Sequence, residues 1–149
     1  MDHERPRSTA KLGTHPIHPM LIPFPIAFLV GALVADIVFW QSGDAFWARA
    51  GFYLLGAGIV TALIAAVFGF IDYFGSDRVR NLSHARQHMY GNLLAVILAV
   101  VNFALRLGDE ADAVMPVGLL LSAVTVALLG FTGWRGGDLV YQHGVGTPE

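Results

Sequence analysis

Four apolar stretches, at about residues 20–40, 51–72, 88–106 and 113–134, divide the chain, and the polar residues are bunched between them. A helix needs about 20 apolar residues to cross the hydrocarbon core of a bilayer, and each stretch approaches or meets that length. The first is interrupted only by Asp36, the second is uncharged until Asp72, the third is short and bounded by His88 and Arg106, and the fourth is uncharged throughout. The connections Gln41–Ala50 and Leu107–Asp112 are brief, so consecutive helices are expected to be antiparallel neighbours. The pattern predicts an all-α membrane protein, an antiparallel bundle of four transmembrane helices forming a single domain over 1–149, with a polar N-terminal tail at 1–14.

Composition agrees with the pattern. The chain is 55% hydrophobic and 13% charged, with a mean hydropathy of +0.59, whereas soluble domains carry about 25% charged residues. Cysteine is absent, which excludes disulfides, thiolate nucleophiles and iron–sulfur ligation by this chain. The net charge of −2 and the lack of a long basic tract argue against nucleic acid as a partner. The polar N-terminus lacks the apolar core of a signal peptide, so the first apolar stretch is expected to be retained.

Charge placement suggests an orientation. Arg5, Arg7, Lys11, Arg78, Arg80, Arg86 and Arg135 fall on the side shared by the termini and the middle connection, against Arg49 and Arg106 on the other. The positive-inside rule then places both termini in the cytoplasm. Within the second stretch, Ala57, Thr61, Ala65 and Gly69 recur every fourth residue beside Gly58, Ala62 and Ala66. Such rows let helices approach closely in lipid, as a seam inside the bundle, a smooth wall against a flat cofactor, or a contact between copies.

All six histidines, His3, His15, His18, His84, His88 and His143, fall outside the continuous apolar runs and, by the same count, on one side of the membrane. Imidazole is the commonest side-chain ligand of transition metals and of haem iron. In HPIHP, Pro16 and Pro19 stiffen the entry to the first helix, and His18 is expected to cap that helix with Pro19 as its first residue. His84 and His88 are four apart and share a helix face, so they can grip one ion from one side but cannot supply both axial ligands of one haem. His88, nearer the apolar run, is the better ligand, with Asn92 one turn deeper, while His3 is set aside. Asp72 and Asp138 are expected either to orient an imidazole or to pair with nearby arginines. Asp36, deep in the first stretch, is a candidate for proton or ion handling.

The segments HPIHPMLIPFPIAFLVGALVAD, GFIDYF, ARQHMYGN and GWRGGDLVYQHGVG together resemble the bacterial membrane-protein family "domain of unknown function 2231", from about His15 to Gly146. The paired HP dipeptides and the terminal GG-x-LVY-x-HGVG are the most specific of these. The resemblance implies a four-helix, multi-pass protein of the bacterial inner membrane, of a kind sometimes joined to Rieske-type iron–sulfur domains. With no such domain in this chain, a redox partner would be a separate membrane or soluble protein. The positions it carries over are His15, His18, Asp72, His88, Asn92, Asp138 and His143. Asp138 stands where the family often has Glu, which keeps the carboxylate, and His84 has no matched counterpart. The resemblance leaves the activity open.

Three functions compete. In the first, haem b is bound near the cytoplasmic face for electron transfer. His18 and His88 would reach the iron from diagonal helices, Arg86 or Arg135 would neutralise the propionates, and His143 would replace His18 or serve a second haem. In the second, a transition-metal ion is bound by His15, His18, His88 and His143 with Asp72 or Asp138, for a metal-dependent enzyme or metal handling. The third is a cofactor-free accessory subunit of a membrane complex. No nucleophile–base pair, phosphate loop or dinucleotide fingerprint is present, so a stand-alone enzyme is the weaker expectation.

Overall fold

The computed structural model of the chain describes residues 8–147. A two-residue antiparallel ladder, β1 (Lys11–Leu12) with β2 (His15–Pro16), leads into α1 (Ile17–Leu21) and α2 (Pro23–Ser42). There follow α3 (Ala45–Phe74), the short α4 (Asp77–Asn81), α5 (Ser83–Leu105), a kinked turn at Val114–Gly118 in which Met115 is extended, and α6 (Leu119–Tyr141). Four segments are long and apolar enough to cross a membrane: Ile17–Ser42, Ala45–Phe74, Ser83–Leu105 and Val114–Tyr141. They run past the apolar stretches at several ends, because helical hydrogen bonding continues into the polar flanks where hydropathy has already fallen.

Local chemistry sets the boundaries. Pro16, extended at φ −62° and ψ 132°, is the N-cap of α1. His18 therefore lies inside the first turn rather than capping the helix, and Pro19 is tolerated there because first-turn amides have no intrahelical acceptor. Pro23, without an N–H, divides α1 from α2, although Ile22 stays helical and its amide donates to the His18 carbonyl at 3.2 Å. Gly43 ends α2 at φ +68°, the left-handed position that glycine adopts without a Cβ clash. Asp44 then caps α3 by accepting the Phe46 amide at 2.9 Å.

The helices form two hairpins, α2 with α3 and α5 with α6, joined by contacts of α2 with α6 and of α3 with α5. Hence α2 and α5 lie across the diagonal. The interior is small and polar: Ala32, Ala35, Ala95, Ala99, Ser122, Thr125 and Thr132 are buried. Large apolar side chains such as Val34, Val60, Leu63, Ile97, Leu120 and Val124 point outward. This inverts the order of a soluble bundle and suits a lipid solvent, in which close backbone approach rather than burial of large side chains holds helices together.

The small-residue rows of α3 are used inside the chain. Gly58 faces Leu29 so closely that an added Cβ would lie 2.7 Å from its Cδ2 and 2.8 Å from its Cγ. Gly130, in mid-α6, has open space at the same test. Gly58→Ala is therefore expected to cost about 1–3 kcal/mol through overpacking, and Gly130→Ala to be neutral or stabilising by up to about 1 kcal/mol. Midpoints of unfolding in a mixed detergent series would check this, and equal effects at both positions would contradict it.

Candidate functional site

The two ends of the bundle carry different chemistry. At the end holding the N-terminal ladder and the C-terminal turn, His18 and His88 face one another from the diagonal helices, with ring centres 6.1 Å apart and planes at 89°. The His18 Nδ1 lies 2.8 Å from the Ala65 carbonyl of α3, and the His88 Nδ1 lies 2.8 Å from the Thr132 carbonyl of α6. A carbonyl only accepts, so both Nδ1 atoms carry a proton, and Nε2 is the nitrogen that ligates when the ring is neutral. That is the ligand-ready tautomer. The Asn92 amide, 3.3 Å from the His88 Nε2, is consistent with it; Asn92 also donates to the His88 carbonyl at 2.8 Å and accepts from Thr132 Oγ1 at 3.0 Å.

Each imidazole lies against a glycine. A Cβ at Gly69 would stand 3.0 Å from His18 Nδ1, and one at Gly136 would stand 3.0 Å from His88 Nδ1. The arrangement in one hairpin is repeated in the other. A histidine on the first helix donates to a carbonyl on the second, four residues before the glycine that accommodates its ring.

The other end holds a buried ion pair. Arg106 donates Nη1 to Asp36 Oδ1 and Nη2 to Asp36 Oδ2, both at 2.7 Å, and both side chains are fully buried. Ser122 donates to Asp36 Oδ2 at 2.6 Å, Arg106 Nε donates to Asn102 Oδ1 at 3.0 Å, and Asn102 donates to Gly118 O and Ser122 Oγ. Every carboxylate oxygen is thus satisfied. Gly51 and Gly118 make the space: a Cβ at Gly51 would lie 2.9 Å from Asp36 Oδ1, and one at Gly118 would lie 2.9 Å from Arg106 Nη2. Asp36, expected to be a lone intramembrane acid, is an ion-pair partner, and Arg106, counted only as a loop cation, is its counterion.

The two levels share one spacing. His18 and Asp36, Gly51 and Gly69, His88 and Arg106, and Gly118 and Gly136 are each 18 residues apart. Eighteen residues make five helical turns, about 27 Å of rise, so within the unbroken α3 Gly51 and Gly69 return to the same helix face. That rise is close to the roughly 30 Å thickness of the hydrocarbon core.

The remaining candidates separate. His15 is exposed in β2. His143 meets His84 instead, with His84 Nδ1 3.0 Å from His143 Nε2. Asp72 binds the chain leading into the ladder, accepting from Ser8 Oγ, the Thr9 amide and the Ala10 amide at 2.8 Å each. It therefore neither orients an imidazole nor pairs with an arginine among the described residues. Asp138 accepts from Arg135 Nη1 at 3.3 Å and from Gln142 Nε2 at 2.7 Å. Arg135 stacks over Phe131, and its buried Nε has no partner. Arg86 is exposed on α5. Among the described residues, no group of three or more His, Asp or Glu side chains is placed to hold a metal ion. His3 lies outside the described residues.

A family model for predicted membrane proteins matches residues 14–149, from the HP dipeptides through the C-terminal turn. The chain belongs to DUF2231. No curated protein and no solved structure matches it. Membership in DUF2231 agrees with the four membrane-crossing helices and the motif resemblance, and it brings no activity with it.

The structure brings the expected His18, His88 and Asn92 together; of the groups that orient the rings, Ala65 and Gly69 were named only as a small-residue row, and Thr132 and Gly136 were not named. Asn102 was not named either, and Arg106 only as a loop cation. The 18-residue spacing was the available signal, spread over four helices and outside any single motif.

Proposed function

We propose that this protein is a bacterial inner-membrane electron-transfer protein that holds haem b between His18 and His88, with both termini in the cytoplasm. The observation that carries the reading is the close pair of imidazoles from diagonal spans, each held through Nδ1 by a backbone carbonyl so that Nε2 is the nitrogen left for ligation. Two imidazoles ligating one metal from opposite sides, at metal–nitrogen distances of about 2 Å, have ring centres roughly 6 Å apart; the observed separation is 6.1 Å.

The donor set favours haem over a bare ion. Two imidazoles alone would hold a bare ion only weakly and exchangeably, since a structural or catalytic zinc site takes three or four protein ligands. Haem brings its own four nitrogens and needs only axial ligands, two histidines being enough. Haem held between His18 and His88 would supply one-electron redox chemistry.

The chain's own contribution is orientation and electrostatics. The Ala65 and Thr132 carbonyls, accepting from Nδ1, hold each ring and raise the basicity of its Nε2. Gly69 and Gly136 leave space at the rings. Arg135, with an unpartnered Nε beside Gly136, and the exposed Arg86 are the cations available for propionates. The cytoplasmic orientation rests on the cation count, which places the site where a soluble or membrane redox partner on that face can exchange electrons.

Titrating haem-free protein in detergent with hemin tests this reading. One equivalent is expected to bind, with a shifted Soret band and reversible reduction by dithionite. Hemin that stays in the micelle with an unshifted band would overturn it.

A further inference from the structure

We infer that His84 and His143 form a second, exchangeable site, for a divalent transition-metal ion, where the C-terminal turn meets the start of α5. The proposal does not depend on haem at His18–His88 and uses none of its residues.

The two imidazoles come from 59 positions apart in sequence and meet with His84 Nδ1 3.0 Å from His143 Nε2, their ring centres 5.2 Å apart. Each is held by regular backbone. His84 is in the first turn of α5. His143 precedes Gly144, which sits at φ +65°; the Gly144 amide donates to Val140 O at 3.1 Å and the Val145 amide to Leu139 O at 2.9 Å. The first is the single bond by which a helix ends on a left-handed glycine, and together the two hold the turn that carries the imidazole. Pro16 also packs against the turn, 3.3 Å from where a Gly146 Cβ would stand.

Without metal, one of the two nitrogens carries a proton that the other accepts. The same separation is what two imidazoles adopt side by side on one ion: metal–nitrogen distances of about 2.0–2.1 Å and angles between square and tetrahedral put the nitrogens roughly 2.9–3.4 Å apart. The ion would take the place of the shared proton, which moves to the far nitrogen of the same ring. Both rings would turn so that their lone pairs converge on an ion beside the N···N line, with the nitrogen separation kept. Both rings are half-buried rather than enclosed, so water can fill the remaining positions. Nearby groups do not complete the site. Asp138 is engaged by Arg135 and Gln142, and no third His or carboxylate joins the pair among the described residues. Two nitrogen donors with water select zinc-like ions over magnesium or calcium, which take oxygen ligands, and keep the ion exchangeable.

The test is zinc binding to the tag-free, full-length protein in detergent, measured by equilibrium dialysis at pH 7.5 in a His3→Ala background that removes the terminal histidine. One zinc per chain is expected. His84→Ala and His143→Ala should each weaken binding at least tenfold. His143→Gln, which keeps a hydrogen-bonding side chain and so preserves the turn, should do the same, while His15→Ala should leave binding unchanged. Undiminished zinc binding in a folded His143→Gln protein, or binding lost only on replacing His18 or His88, would overturn the site.

Discussion

Replacing Arg106 with Ala is expected to destabilise the bundle by about 3–5 kcal/mol, the range for removing one member of a buried ion pair. Asp36 would keep two oxygens aimed at empty space, with Ser122 Oγ its only remaining hydrogen-bond donor at 2.6 Å. Around it the structure is built for a guanidinium. Gly51 and Gly118 have no side chain where the Asp36 and Arg106 groups pass, and Asn102 accepts from Nε. Lysine should therefore rescue poorly, because one ammonium cannot reproduce two parallel hydrogen bonds and the Asn102 contact together. The double variant Asp36→Leu with Arg106→Leu is expected to be less damaged than either single charge removal, since it leaves no unpaired charge in a lipid-surrounded interior. Detergent-induced unfolding followed by circular dichroism measures all four. Single variants as stable as wild type would show that the pair is not a structural tie between the diagonal helices.

Replacing His18 or His88 with Ala is expected to abolish stable haem binding while leaving helix content unchanged, the two substitutions being equivalent in effect. The equivalence follows from the repeated design, in which each ring donates to a carbonyl of the second helix of its own hairpin at 2.8 Å. Neither ring belongs to the Asp36–Arg106 network, so the fold should survive. His15→Ala and His84→Ala should retain haem, since His15 is exposed in β2 and His84 is bonded to His143. Haem content per protein, from the pyridine haemochrome absorbance, checks each variant. Full haem content in both His18→Ala and His88→Ala would remove this pair as axial ligands.

Much of the architecture was legible in the chain because hydropathy is a long-range signal in a small membrane protein. Four apolar stretches with short connections leave one arrangement of neighbours, and it places α2 and α5 diagonally, as expected for His18 and His88. The two facing histidines were legible and the groups that orient them obscure. An imidazole at the edge of an apolar run announces itself, whereas the Ala65 and Thr132 carbonyls that orient the rings are backbone atoms with no sequence signature. His143 and Asp72 were misassigned to the same cluster for a related reason. Sequence places them at one membrane level but not at one azimuth around the bundle, and they went to His84 and to residues 8–10 instead. Arg106 was hidden by position: at the end of an apolar run it reads as an interfacial cation until its partner, Asp36, is known to reach the same depth.

The most direct measurement is the dithionite-reduced minus oxidised absorbance spectrum of the wild-type protein, purified in mild detergent after haem-replete expression, with haem and protein quantified on the same sample. One haem b per chain, with the sharp α and β bands of a six-coordinate bis-imidazole iron, is the result expected from His18 and His88 facing each other at 6.1 Å. A well-folded protein with no Soret band under those conditions would contradict it.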